Sequence, residues 1–117
     1  KLIDALLVTG GPKGASKIKD KIFSEYINVS NNASSVRKFG SAALDMAYVA
    51  CGRVDGYWQR EINYWDIAAG IVILKEAGGF LDFFDEDPNI PLKKNILASN
   101  FNIHNELKEL INKKDIE

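Results

Sequence analysis

Short apolar runs alternate with segments of helical period along nearly the whole chain, and that alternation leaves few folds open. Asp4 to Thr9 reads as a buried strand: Ala5, Leu6, Leu7 and Val8 are continuously apolar, and Gly10-Gly11-Pro12 ends the run. From Lys17 to Ile27 the apolar positions Ile18, Ile22, Phe23, Tyr26 and Ile27 fit a helix with a Lys-rich outer face, which Ser16 is placed to cap. After a polar loop, Val36 to Phe39 is a short extended piece. Gly40-Ser41 opens a helix running to about Cys51, apolar nearly all round, and such a helix belongs between layers. Val54 to Gln59 reads as a strand rich in aromatic residues. Asp66 to Ala77 is a second strongly apolar helix, stopped by Gly78-Gly79. Phe80 to Phe83 and Ile96 to Ser99 read as strands flanking an acidic turn at Asp85-Glu86-Asp87-Pro88-Asn89, and residues 103 to 113 form an amphipathic helix. The order β-α-β-α-β-α-β-β-α predicts an α/β unit over 1–117, a layered mixed sheet carrying helices on its faces.

Composition narrows the chemistry. The net charge of -1 points neither to nucleic acid nor to an anionic membrane. The single cysteine, Cys51, has no partner for an internal disulfide and reads as a small buried hydrophobe in a reducing cytosol. His104 is the only histidine, so a zinc site or a His-based triad has little support. No signal peptide or membrane-length apolar run is present, which predicts a cytoplasmic protein. The chain opens on Lys1 and runs almost at once into a strand, so further sequence is expected upstream.

Candidate chemistry gathers where strands give way to helices, the place where α/β sheets build their sites. Asp66 falls at such a junction. Its carboxylate suits a helix cap, and equally suits a hard cation such as magnesium, which selects carboxylate oxygens. Position alone favours the cap. Gly40-Ser41-Ala42 offers free backbone N–H groups at a helix start, with glycine allowing close approach, or else a plain capped helix. Gln59, Arg60 and Glu61 follow a strand and are placed to reach the same crevice, although loop charges are usually solvated. Asp85, Glu86 and Asp87 read better as a solvated turn than as a metal cluster. The Gly10-Gly11-Pro12-Lys13-Gly14 loop lacks the Gly-Lys-Ser/Thr ending of a phosphate-binding P-loop.

Two segments change the weight of these pieces. The stretch from Val36-Arg37-Lys38-Phe39-Gly40-Ser41-Ala42 through Gly52-Arg53-Val54-Asp55-Gly56-Tyr57-Trp58 resembles the inositol monophosphatase family. So does Trp65-Asp66-Ile67-Ala68-Ala69-Gly70, continued by Glu76-Ala77-Gly78-Gly79. The likeness runs from Leu6-Leu7-Val8-Thr9-Gly10 to Ile96-Leu97-Ala98-Ser99-Asn100, with the motifs in order and in register. It implies the C-terminal half of the layered sandwich of that family, and hydrolysis of phosphate monoesters, typically of myo-inositol, with Mg2+ and a metal-activated water. Asp66 matches a residue that ligates a catalytic metal near a substrate hydroxyl. Gly40, Ser41 and Ala42 match a helix start that contacts the inositol ring. Asp45 and Asp55 match structural positions.

The departures from the family pattern are specific. Nothing here matches the family's N-terminal glutamate and Asp-Pro-x-Asp-Gly-Thr motif, which carry most of the metal shell. Gln59 stands where the family usually has a glutamate bonded to a ring hydroxyl, so charge-assisted bonding is lost. Glu61 stands where a glycine is common, and Asn63 where a basic residue or histidine is frequent. The resemblance therefore implies the C-terminal part of a phosphatase, inactive as this piece, with the missing N-terminal half as its partner and self-association through the apolar face left exposed. Two other readings stay open: a domain that kept the fold and binds a partner, and a related phosphatase of sugar bisphosphates or nucleotide phosphates.

Overall fold

A computed structural model describes residues 1–10, 18–85, 88–89 and 93–112. The strands are β1 (Leu6–Thr9), β2 (Ser35–Arg37), β3 (Gly56–Asn63), β4 (Phe80–Phe83) and β5 (Lys93–Ser99). The helices are α1 (Lys19–Ser30), α2 (Ala42–Ala50), α3 (Tyr64–Glu76) and α4 (Phe101–Asn112). The strands form one five-stranded sheet in the order β2-β1-β3-β5-β4. β1 pairs in parallel with β2 and β3, whereas β5 runs antiparallel to β3 and β4. The expected element order and mixed sheet are both present.

Helices cover both faces. Leu7, Trp58 and Leu97 pack on one side with Val29 of α1 and Ile103, Leu107 and Ile111 of α4. Val8, Tyr57, Ile96 and Ala98 pack on the other with Met46 and Val49 of α2 and Ile67 and Leu74 of α3. Strand alternation explains the division, since neighbours along a strand face opposite sides. α2 and α3 approach closely at Gly70, where an atom in the Cβ position would lie 2.9 Å from Cβ and Sδ of Met46.

Element boundaries differ from expectation where local chemistry intervenes. Leu2–Asp4 forms a 3-10 turn, so β1 begins only at Leu6. Asp55 explains the start of β1: its Oδ2 accepts the Leu6 N–H at 2.9 Å, and its Oδ1 accepts from Asn100 Nδ2 at 3.2 Å. The expected cap at Ser16 lies outside the described residues, as do Glu86 and Asp87 of the acidic turn. Arg60–Tyr64 is not a connecting loop. β3 runs on to Asn63 and α3 follows at once.

That continuation depends on a bulge. Gln59 pairs with Ile96 and Ile62 with Lys94, so Arg60 and Glu61 together stand opposite Asn95. The extra residue restores Ile62 to the face that carries Tyr57 and Gln59. Glu61 adopts φ 57, the left-handed region that glycine enters without penalty. Its N–H is held by Asn95 Oδ1 at 2.8 Å, while Asn95 Nδ2 donates to the Phe84 and Asp85 carbonyls at 2.9 Å. Glu61 thus holds a left-handed backbone, at a cost in backbone strain.

Two stability changes are expected. Gly70→Val should destabilise by about 1–3 kcal/mol, because the α2–α3 approach has no room for a branched side chain. Glu61→Gly should stabilise by about 0.5–1 kcal/mol, the left-handed penalty less the entropic cost of glycine. Urea unfolding of both variants beside the parent reads both signs.

Candidate functional site

β1, β2 and β3 run parallel, so their C-terminal ends lie at one end of the sheet, and α2 and α3 begin there. That end is where α/β sheets bind ligands, and helix N-termini bring positive dipole ends and free N–H groups to it. The topology brings Gly40, Ser41, Ala42, Gln59 and Asp66 to this one end.

Each residue is set there by a local cause. Gly40 has φ 85, a turn that a residue with Cβ enters only under strain, and it swings the chain from β2 into α2. Ser41 is the N-cap, with its Oγ accepting the Leu44 N–H at 3.3 Å. Gly40 and Ser41 are exposed and Ala42 is half-buried. Asp66 is not the cap of α3. Asn63 holds the N-cap position without a side-chain bond, and Asp66 sits inside the first turn, exposed, with no hydrogen bond or ion pair among the described residues. The helix dipole stabilises its negative charge there.

Gln59 is buried rather than solvated. The Tyr57 hydroxyl, on the same face of β3, donates a hydrogen bond to Gln59 Oε1. Gly10, at the end of β1, lies against the amide: a Cβ there would fall 2.3 Å from Gln59 Cδ and Oε1 and 2.6 Å from Nε2. Burial raises the Tyr57 pKa strongly, and the charges of Asp45 and Asp66 raise it further, so the phenol keeps its proton. The same coupling places both carboxylates in electrostatic reach of Tyr57. Asp45, on α2, is buried and its Oδ1 has no hydrogen-bond partner. Tyr57, Asp45 and Gly10 were not singled out as site residues from sequence. The period-two alternation of β3 is the signal that joins Tyr57 to Gln59, while Gly10 and Asp45 needed the fold.

Arg60 does not share the crevice. It points through the opposite face, where Glu25 accepts its Nε at 3.2 Å and its Nη2 at 2.8 Å, and Glu25 also accepts Trp58 Nε1 at 3.0 Å. Asp85 joins the cluster, 3.1 Å from Arg60 and 3.4 Å from Lys21, so this acidic residue is an ion-pair partner. Cys51 is exposed, contrary to the buried position expected of it, because α2 ends before it and Gly52 turns the chain outward. His104 also holds a place that its solitary occurrence did not suggest. It is hydrogen-bonded to Ser99 Oγ through Nδ1 and to Asp82 Oδ2 through Nε2 at 2.7 Å. Ser99 is fully buried, so no ligand reaches its hydroxyl and the chain of bonds pins α4 to β4 and β5.

The donor set suits magnesium in part. Asp66 offers a free, exposed carboxylate of the kind a hard cation selects. Among the described residues no group of three or more His, Cys, Asp or Glu side chains lies close enough to hold a metal. Asp66 therefore fits as one ligand of a shell completed from elsewhere.

Asp45 makes stability depend on pH. Burial raises its pKa from 3.8 to about 6. The folded state then binds the proton more tightly than the unfolded chain. The resulting stabilisation is fully present below 3.8 and is lost as pH rises through about 6. Asp45→Asn, uncharged and of the same shape, should stabilise at pH 7 by about 1–2 kcal/mol after discounting for solvent screening. Thermal melts between pH 4 and pH 7 should show a flatter profile for the variant; parallel profiles would remove Asp45 as the cause.

Comparison with known proteins gives the same picture from sequence and from shape. The profile of the inositol monophosphatase family matches residues 3–115. The inositol-1-monophosphatase of Synechocystis sp. is 46% identical over 107 residues, spanning 92% of this chain and 37% of that protein. The Nus factor SuhB of Escherichia coli K12 is 40% identical over 95 residues, spanning 81% of this chain and 36% of that protein. The crystal structure of the extragenic suppressor protein suhB from Bartonella henselae superposes with a TM-score of 0.85 at 40% identity, over 97% of this chain and 44% of that one. The chain thus spans less than half the length of these relatives. With the family pattern matched nearly end to end and the sheet superposing on a family structure, this chain belongs to the inositol monophosphatase family.

Proposed function

We propose that this chain is the C-terminal part of a magnesium-dependent phosphomonoesterase that hydrolyses myo-inositol monophosphate to inositol and phosphate. The observation that carries the reading is Asp66: an exposed carboxylate in the first turn of α3, without a hydrogen bond or ion pair among the described residues, at the sheet end where Gly40, Ser41, Ala42 and Gln59 also gather. The α2 start would receive the substrate ring through its backbone N–H groups, and Gln59 would meet a ring substituent. Asp66 would hold Mg2+ and lie near a substrate hydroxyl. When bound, the metal supplies Lewis-acid stabilisation of the phosphate and a water activated for attack. The apolar packing of Ile67 and Leu74 behind Asp66 fixes the helix that presents it.

The rest of the site would come from an N-terminal half of the same protein. Two observations support this: the chain spans 37% of the Synechocystis relative, and the outward faces of α2 and α3 are apolar. Leu44 is 45% exposed, Trp65 62% and Val72 61%, which is costly for helices with nothing against them. The apolar helix expected between layers would then regain its second covering. Without that covering, the same surface favours self-association.

A cytoplasmic setting is part of this reading; among the described residues no helix is long and apolar enough to cross a membrane. A partner-binding domain that kept the fold is the second reading, favoured by Gln59 in place of a carboxylate and by a relative named as a Nus factor. A related sugar or nucleotide phosphatase is the third.

The test uses the full-length protein with magnesium and myo-inositol 1-phosphate. Wild type should turn over, and Asp66→Asn should lose about 100-fold or more in kcat/KM, as expected for a metal ligand worth several kcal/mol. The 117-residue chain alone should be silent. Near-normal turnover by the variant would sink the ligand assignment, and an inactive full-length wild type would favour the binding-domain reading.

A further inference from the structure

The buried amide of Gln59 has one end committed and one end free. Its Oε1 accepts the Tyr57 hydroxyl, while its Nε2 has no hydrogen-bond partner among the described residues. Gly10 lies face-on against the amide, with no side chain to displace it. The hydrogen bond assigns the two ends: the Tyr57 hydroxyl donates to Gln59 Oε1. A phenol donating its proton needs an acceptor, which on an amide is the oxygen.

From this geometry we propose that Gly10 and Tyr57 lock Gln59 with its N–H2 offered to the ligand. Gln59 is then the specificity-determining residue for a substrate that carries, besides the scissile phosphate, a second anionic acceptor oxygen. The proposal rests on the phosphatase reading of this crevice and names its substrate class.

The selection follows from donor and acceptor chemistry. A carboxylate side chain at this position would only accept, so its ligand would have to donate, as a ring hydroxyl does, and an anionic group would be repelled. The locked amide only donates. It tolerates a hydroxyl, which can accept, and prefers a carboxylate or phosphate oxygen, because a hydrogen bond to a charged acceptor is shorter and stronger. The shared chemistry is the anionic oxygen; whether a carboxylate or a second phosphate bears it separates by experiment.

Matched pairs test this on the full-length protein with magnesium. One pair is glucose 1-phosphate and glucuronic acid 1-phosphate, which differ in a hydroxymethyl and a carboxylate. The other is myo-inositol 1-phosphate and myo-inositol 1,4-bisphosphate. Affinity is read by calorimetry, and the Gln59 side-chain N–H resonances, identified by their loss in Gln59→Glu, are followed during each titration. Wild type should bind the anionic member of at least one pair about 10-fold more tightly, with a downfield shift of one Gln59 N–H resonance. Gln59→Glu should reverse that preference. Tyr57→Phe, which removes the lock and keeps the ring, should shrink it, and Gly10→Ala should do so by displacing the amide. The changes should appear in Kd and KM more than in kcat, whereas a merely structural defect would lower turnover on both members alike. Equal binding of both members of both pairs by wild type, or a Gln59→Glu effect equal on both, would overturn the proposal. Because the preference appears in KM where the substrate turns over and in Kd where it does not, absence of hydrolysis would count against the phosphatase reading while the preference is still measured.

Discussion

The backbone bond from Glu61 N–H to the Asn95 side chain closes the bulge of β3, and the arrangement of the candidate site depends on it. Strand side chains alternate strictly, so a one-residue change of register exchanges the two faces. Tyr57 and Gln59 face α2 and α3 below the bulge, and Ile62 faces the same side only because Arg60 and Glu61 share one partner residue. Without the extra residue, α3 would leave the sheet rotated to the wrong side. The left-handed backbone at Glu61 is the local cost of that geometry, and Asn95 offsets it with three side-chain bonds to Glu61, Phe84 and Asp85. Strained backbone beside a site is a familiar association, and here the strain has an identifiable task.

β3 thus separates two polar systems of different kinds. On the α1 face Glu25, Arg60 and Trp58 satisfy one another almost completely, with Asp85 closing the group toward solvent. Buried ion pairs seldom add much net stability, but removing one partner leaves a charge stranded. On the α2 and α3 face the groups are left open. Among the described residues Asp45 has an unpartnered oxygen, Gln59 an unpartnered amide nitrogen, and Asp66 a carboxylate with no hydrogen bond or ion pair. A closed network fixes structure, whereas an open one at the end of a sheet is available to a ligand. The two faces thus differ in how far their polar groups are satisfied, even though both contain ionisable residues.

At the other end of the sheet, Ser99, His104 and Asp82 have the connectivity of a hydrolytic triad but none of its access. Burial makes the Ser99 hydroxyl a fastening for α4, and Lys108 shares the Asp82 carboxylate at 3.4 Å. Geometry of connection is therefore not enough to define a site; exposure of the reacting atom decides.

Much of this was legible in the residues. Apolar periodicity set the order of strands and helices, because burial on one face leaves a period of two or of 3.6 in the chain. The motif around Asp66 pointed to the family, and the exchange of glycine for Glu61 flagged the loop that proved strained. Other features had no local signature. The length of β3, the place of Asp66 inside a first turn and the exposure of Cys51 depend on where neighbouring elements end. The contacts around Gln59 join Gly10, just past β1, to Tyr57 on β3, and the pairing of Glu25 with Arg60 spans 35 residues. Sequence by itself determined what each segment is, since that follows from local period and chemistry. Only the tertiary structure decided which polar groups face each other and which stay open, because those contacts are fixed by sheet order and register and not by distance along the chain.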